Sequence, residues 1–336
     1  MRKLGRMKLD TRITLLAALL LAACSPSGSS PARAKVTRLS IATGGTGGVY
    51  YVYGGALARL ISESVPGVEA TAEVTSASID NLKFLRDGKA DIAFTLADTL
   101  KDASEGKGAF EARPIDLRAL AVLYTNVTHV VTKKGSGITK LADLKGKVVS
   151  MGSAGSGTET IADRTLVAAG LDPAKDIRRE NLSAQASADA LKDGKVDAFF
   201  WSGGLPTAAV LDLAISAPTL ILDTASVLPR LQAQYGEALY RPVSIPPSTY
   251  ASIDSEVHTF GVSNVLVVPA NFDPERAYLI VKTMFEKKAA LAAAHAEARN
   301  LDLLAAVTGS PVPLHDGALR YYAEAGSPPP TPAVKP

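Results

Sequence analysis

Cysteine occurs once in the 336 residues, as Cys24, so no disulfide forms within the chain and a zinc site built from thiolates is excluded. Histidine is almost as scarce. His129, His258, His295 and His315 include no pair at metal-ligand spacing, and none adjoins a small polar turn. Gly-x-Ser-x-Gly is missing around Ser153 and Ser156, which removes the usual serine-hydrolase arrangement. The apolar run Ile13 to Ala23 falls short of the roughly 20 residues that a membrane-spanning helix needs. A basic surplus is also missing from the body of the chain. Arg2, Lys3, Arg6, Lys8 and Arg12, less Asp10, put +4 before residue 13, so the formal net charge of +3 becomes −1 without that segment. Nothing in the charge calls for a nucleic acid.

The basic start, the short apolar run and the small residues before Cys24 form a secretory signal over residues 1–23. Leu21-Ala22-Ala23-Cys24 resembles a bacterial lipobox, which implies that Cys24 becomes a lipidated N-terminus and anchors the chain to a membrane. Residues 24–35, rich in Ser, Pro, Gly and Ala, read as a flexible lipid-anchored tether. Residues 327–336 read as a disordered, proline-rich tail.

Two glycine loops organise what lies between. Ile41-Ala42-Thr43-Gly44-Gly45-Thr46-Gly47-Gly48 follows an alternating strand and precedes a helix from Val49 to Ser62. Gly152-Ser153-Ala154-Gly155-Ser156-Gly157-Thr158 follows Lys147 to Met151 and precedes a helix to Ala169. Backbone N–H groups and the positive end of a helix dipole suit such loops to an anion. The second loop lacks the lysine of a nucleotide-phosphate loop, and Tyr50 stands where a dinucleotide fingerprint needs its third glycine. No cofactor is expected.

The loops belong to a longer echo. Leu85-Arg86-Asp87-Gly88-Lys89-Ala90-Asp91 matches Leu191-Lys192-Asp193-Gly194-Lys195-Val196-Asp197. In each half a strand, small polar turn, helix, glycine stop and strand follow the loop, which implies two related α/β lobes with parallel sheets. Leu117–Tyr124 and Thr128–Thr132 read as two strands joining the lobes, Leu141–Gly146 as a short helix, and Tyr278–Ala298 as one long helix. Ligands sit at the C-terminal ends of such strands, so the cleft between lobes is the candidate site. Tyr50 offers either core packing or a hydroxyl for a ligand, Trp201 a cleft wall, and Ser76, Ser78 and Ser187 either donors or helix caps.

The stretch Ile41 to Gly55 resembles the opening signature of the TAXI proteins, the solute-binding subunits of one class of TRAP transporter. The resemblance continues through Leu85 to Asp98, Val130 to Thr158, Trp201 to Pro206 and Thr259-Phe260-Gly261-Val262. It implies a two-lobed, hinge-closing fold of the periplasmic-binding-protein type II, with no catalysis. Lobe I would span 36–125 and return over 263–326, and lobe II would span 126–262. The resemblance implies a small organic-acid ligand, dicarboxylate, 2-oxoglutarate or glutamate-like, and a TRAP permease as partner. An ABC permease, a sensor, or an enzyme using the same cleft are the alternatives. By position, Thr46, Gly47, Gly48, Tyr50, Ser76 and Ser78 would meet the ligand from lobe I. Gly155, Ser156, Gly157, Thr158 and Trp201 would meet it from lobe II. Leu96 stands where many members carry glutamine, and Asn126 where several carry an acid, which favours a carboxylate without an amine.

Overall fold

The computed structural model describes residues 36–327. The signal segment, Cys24 and its tether, and the tail from residue 328 lie outside the described residues.

The first half runs β1 (Thr37–Ala42), α1 (Val49–Ser64), β2 (Val68–Glu73), α2 (Ser78–Arg86), β3 (Ile92–Leu96) and α3 (Ala97–Glu105). A 17-residue strand, β4 (Leu117–Lys133), carries the chain into the second half. There the order repeats as β5 (Val148–Ser150), α4 (Gly157–Ala168), β6 (Arg178–Glu180), α5 (Ala184–Lys192) and β7 (Ala198–Gly203). Then come α6 (Ala208–Ser216), β8 (Thr219–Ile221), α7 (Leu228–Tyr235), β9 (Arg241–Ile245) and the second long strand, β10 (Val257–Pro269). The chain ends with α8 (Pro274–Glu286), α9 (Lys288–Ala294), α10 (Leu303–Ala306) and α11 (Asp316–Glu324).

Among the described residues ten strands form one sheet, in the order β2-β1-β3-β10-β4-β7-β5-β6, with β8 on β4 and β9 on β10. The outer triplets are parallel, as expected. The sheet as a whole is mixed, because β10 runs antiparallel to β3 and β4, and β4 antiparallel to β7. Both long strands serve both halves. β10 pairs with β9 over Val257–Gly261 and with β3 over Asn264–Val267.

The sequence echo has a physical cause. Gly88 and Gly194 take φ of 65° and 74°, a conformation that glycine adopts without a Cβ clash, and so end α2 and α5. The Asp91 carboxylate then accepts the Ser40 N–H at 2.8 Å, and the Asp197 carboxylate accepts the Val148 N–H at 2.8 Å. Each aspartate ties the entry of β3 or β7 to the strand beside it, β1 or β5. The same pair of devices is therefore used twice.

Three expectations need correction. Leu117–Tyr124 and Thr128–Thr132 are one strand, because Thr125-Asn126-Val127 stays extended and pairs with β10 and β7. Tyr278–Ala298 is not one helix. Lys287 leaves helical geometry at ψ 19°, His295 is extended, and a 3₁₀ segment follows over Ala296–Asn300. Leu141–Leu144 is likewise a 3₁₀ turn rather than an α-helix.

Helix α1 anchors the larger hydrophobic core. Tyr53, Leu57 and Ile61 recur at i, i+4 and i+8 and are fully buried, with Phe94 of β3 against Tyr53 at a ring separation of 5.7 Å. A smaller core gathers Val131, Leu191, Phe199, Val210 and Tyr250 in the second half.

Candidate functional site

A cavity of about 250 Å³ lies between the halves. That is just below the roughly 300–1,000 Å³ usual for ligand pockets, so its occupant is small. Its walls are the segments that follow β1, β2, β5 and β6, together with the ends of β3 and β7. Thr46, Gly47, Gly48, Tyr50, Ser76 and Ser78 line it from the first half. Ser156, Gly157, Thr158 and Trp201 line it from the second. Among the described residues no Asp, Glu, Lys, Arg or His lines it, and no cluster of three His, Cys, Asp or Glu could hold a metal ion.

Gly155 is the expected residue that does not line the cavity. Its carbonyl accepts the N–H groups of Ile79 and Asp80, at 3.1 and 3.2 Å, across the cleft at the start of α2. A Cβ on it would stand 2.6 Å from the Asp80 carboxylate. Gly155 therefore joins the two halves. Gly157 is equally confined. A Cβ there would stand 2.5 Å from Leu96 Cδ1 and 2.7 Å from Ser78 Oγ, both in the first half. Gly47, by contrast, has nothing within 4 Å of its Cβ position.

Tyr50 lines the cavity, and its hydroxyl donates to Asn264 Oδ1 on β10. Asn264 Nδ2 donates to Asn126 Oδ1 at 2.9 Å, and Asn126 Nδ2 donates to the Ser202 carbonyl at 3.0 Å. This chain joins α1, β10, β4 and β7. Burial holds the Tyr50 hydroxyl far above its ordinary pKa, so it stays protonated. The ring still forms a wall, 5.1 Å from Phe94. Ser78 Oγ accepts the Leu96 N–H at 3.1 Å, and Thr158 Oγ1 accepts the Ser202 N–H at 3.3 Å. Ser156 caps α4 by accepting the Glu159 N–H at 3.1 Å. Ser187, which lies within α5, bonds Ser150 at 2.8 Å.

Trp201 forms the opposing wall. Its Nε1 donates to Thr207 Oγ1 at 2.9 Å, and its ring edge reaches within 3.7 Å of a Cβ position on Gly48. Ser202, beside it, falls within the Trp201 to Pro206 stretch and is not marked out there as a site residue. It lines the cavity with 5% exposure, and its hydroxyl has no hydrogen-bond partner among the described residues.

A second contact joins the halves away from the cavity. Arg164 of α4 bonds Asp98 Oδ2 at 3.3 Å and also Asp102, both on α3. Tyr240 donates to Asp98 Oδ2 at 2.8 Å, and the guanidinium lies 4.1 Å from the Tyr235 ring centre. Asp98 is wholly buried and the Arg164 side chain is 11% exposed. His129 lies away from the cavity lining. It is buried on β4, bonded to the Val127 carbonyl and the Tyr250 hydroxyl at 2.9 Å each, and burial lowers its pKa to about 4.

Two strand–helix repeats sharing two antiparallel crossing strands, with a cavity between them, define a two-lobed α/β binding-protein fold of the periplasmic type II class. The chain belongs to the NMT1-like family, whose model matches residues 41–326. A solved structure from Bordetella bronchiseptica RB50 is similar over 87% of this chain and 99% of its own, at 15% identity and a TM-score of 0.57. The periplasmic aliphatic sulphonate binding protein of Escherichia coli overlaps 88% of this chain and 84% of its own, at 17% identity and a TM-score of 0.47. The ligand-binding component of an ABC-type import system from Staphylococcus aureus overlaps 79% and 83%, at 10% identity and a TM-score of 0.47. These are likenesses of fold.

Proposed function

We propose that this chain is an extracytoplasmic solute-binding receptor, not an enzyme. It captures a small organic anion between lobe I (36–125 and 263–326) and lobe II (126–262), closes on the hinge strands β4 and β10, and delivers the anion to a membrane permease. The observation that carries this reading is a small cavity walled by both halves, with backbone N–H groups and hydroxyls but no charged side chain. A carboxylate is held there by the glycine loop and the N-terminus of α1, as anions are at helix starts. Gly48, Gly157, Thr46, Ser76, Ser156 and Trp201 contact it directly. Tyr50, Ser78 and Thr158 shape the walls with their hydroxyls engaged in the protein. Cross-cleft bonds at Gly155 and Arg164 favour the closed arrangement that the ligand selects. The lack of an acidic side chain disfavours an amine-bearing ligand.

The secretory start supports an extracytoplasmic location, with Cys24 as the lipid anchor. An ABC-type permease, or a sensor, is the alternative destination for the captured anion. The TRAP-type permease rests on the TAXI-like stretch Ile41–Gly55. Uptake driven by ATP hydrolysis separates the first from the second, which an ion gradient drives. The receptor reading is tested by calorimetric titration of protein stripped by unfolding and refolding, against glutamate, glutamine, 2-oxoglutarate, succinate and short fatty acids. Binding of an organic acid without turnover is expected. Catalytic conversion of the bound acid would overturn it.

A further inference from the structure

Glu297 is a buried carboxylate for which the capture of a ligand, as described above, has no use. It lies in the 3₁₀ segment Ala296–Asn300, which packs against β4 and α9, and α9 packs against α1 of the first half. Ala298 and Leu301 beside it are sunk in the larger core. Its carboxylate reaches across to the loop that follows β7. Oε1 accepts the Leu205 N–H at 2.9 Å, and Oε2 accepts the Asn300 side-chain amide at 2.6 Å. The main chain comes so near that a Cβ on Gly204 would stand 2.5 Å from Oε1 and 2.7 Å from Cγ. Leu205 and Trp201 pack against the smaller core. One carboxylate therefore links a segment of one core to a loop of the other. Its burial is costly, two neutral donors offset that cost only in part, and its pKa is raised as a result.

The loop held in this way runs straight into the cavity wall. Thr207 occupies the N-cap of α6, where a threonine hydroxyl ordinarily caps the helix, yet it makes no cap bond. The hydroxyl is turned to the loop instead. It donates to the Gly204 carbonyl at 2.8 Å and accepts the Trp201 Nε1–H at 2.9 Å. The Thr207 N–H donates to the Tyr250 hydroxyl at 3.1 Å, which fixes the far end of the loop in the smaller core. Gly203 leaves no room for a side chain against the indole. The indole N–H thus depends on one acceptor, Thr207 Oγ1, and that acceptor is placed by Gly204, which abuts Glu297.

We infer that Glu297 is a positioning residue for the binding cavity. It does not line the cavity itself. From the first half it fixes Gly204-Leu205, and through Thr207 it sets the Trp201 indole as the wall. Its meaning for binding rests on the receptor reading above; the chain of bonds does not.

The chain's one tryptophan gives one indole N–H resonance in ¹⁵N-labelled full-length protein, so its exchange with deuterium reports this bond without any ligand. The Leu266 N–H, on β10 where it pairs with β3 and β4, tracks the whole fold. Glu297→Ala should speed indole exchange roughly tenfold or more relative to Leu266. Glu297→Gln keeps an acceptor for the Leu205 N–H and should stay within about twofold of the parent. Glu297→Asp keeps the charge but withdraws the acceptor by one methylene; it should speed exchange about threefold, and it decides the matter where the alanine variant does not fold. Thr207→Val removes the acceptor of the indole, and adding Glu297→Asp to it should bring no further change. Parental indole exchange in Glu297→Asp, acceleration only in step with Leu266, or additive effects in the double variant overturn the inference while the receptor reading stands. An acid of the calorimetric panel above that binds the parent should bind Glu297→Asp about threefold more weakly or worse, and equal affinity overturns the part of Glu297 in binding. A panel in which no acid binds overturns the receptor reading alone, and indole exchange still decides this one.

Discussion

Replacing Gly157 with alanine separates closure from folding. Gly157 opens α4 and its φ is not positive, so alanine suits its backbone. In isolation the change should leave stability unaltered or raise it by about 0.4–1 kcal/mol, through the unfolded chain. The added methyl, however, would stand 2.5 Å from Leu96 Cδ1 and 2.7 Å from Ser78 Oγ. Both belong to the other half, so the clash exists only when the halves are together. Overpacking of this kind costs about 1–3 kcal/mol. Charged against the closed arrangement alone, it weakens ligand binding by about 5- to 150-fold. Isothermal titration measures the affinity, and thermal melting of the ligand-free protein measures the fold. The expected result is a large loss of affinity with no fall in Tm. Affinity within twofold of the parent, or a Tm that falls in step with affinity, would refute the placing of Gly157 at a moving contact.

Gly47→Ala is the companion variant: with nothing within 4 Å of its Cβ position, it should bind ligand within about threefold of the parent in the same titration. Arg164→Ala strands the buried Asp98 carboxylate and the half-buried Asp102, a loss worth about 3–5 kcal/mol where the pair stays buried. Small-angle scattering should then show a larger radius of gyration at sub-saturating ligand, and melting a lower Tm. His129 should give the fold a pH dependence. Its pKa is lowered to about 4, so the unfolded chain binds a proton that the folded one refuses. Stability is full above pH 6.5 and is lost as pH falls towards 4, by up to about 3 kcal/mol in chemical denaturation. His129→Gln should flatten that slope. Tyr50→Phe leaves Asn264 Oδ1 without its donor, which should cost about 1–3 kcal/mol in the same assay.

The parts of the fold legible in the sequence are those fixed by local chemistry. Gly88 and Gly194 are needed for their positive φ, and Asp91 and Asp197 each take a neighbouring strand's N–H, so these residues recur and expose the repeat. The glycine loops could be placed at strand ends by the same reasoning, and the cavity is walled there. What could not be read depends on residues distant in the chain. Tyr50 and Asn264 are 214 positions apart, and only the sheet order brings that hydroxyl to that amide. Gly155 looked like its neighbours in the loop, but its role comes from α2 lying opposite. The continuity of β4 was hidden by Thr125-Asn126, polar residues that read as a break and are held extended by β10. Ser202 lies in the stretch Trp201 to Pro206 that the sequence singles out, but the burial of its hydroxyl without a partner among the described residues has no sequence signature.

Trp201 is the chain's one tryptophan and stands on the cavity wall facing Gly48, so its fluorescence reports directly on that site. Titrating stripped protein with small organic acids while following that emission tests the central claim. A saturable change at micromolar concentrations of one acid, abolished or shifted to far higher concentration in Gly157→Ala, is the predicted result. Emission that no acid alters in a saturable way, from protein that melts cooperatively, would contradict the capture of an organic anion between the two lobes.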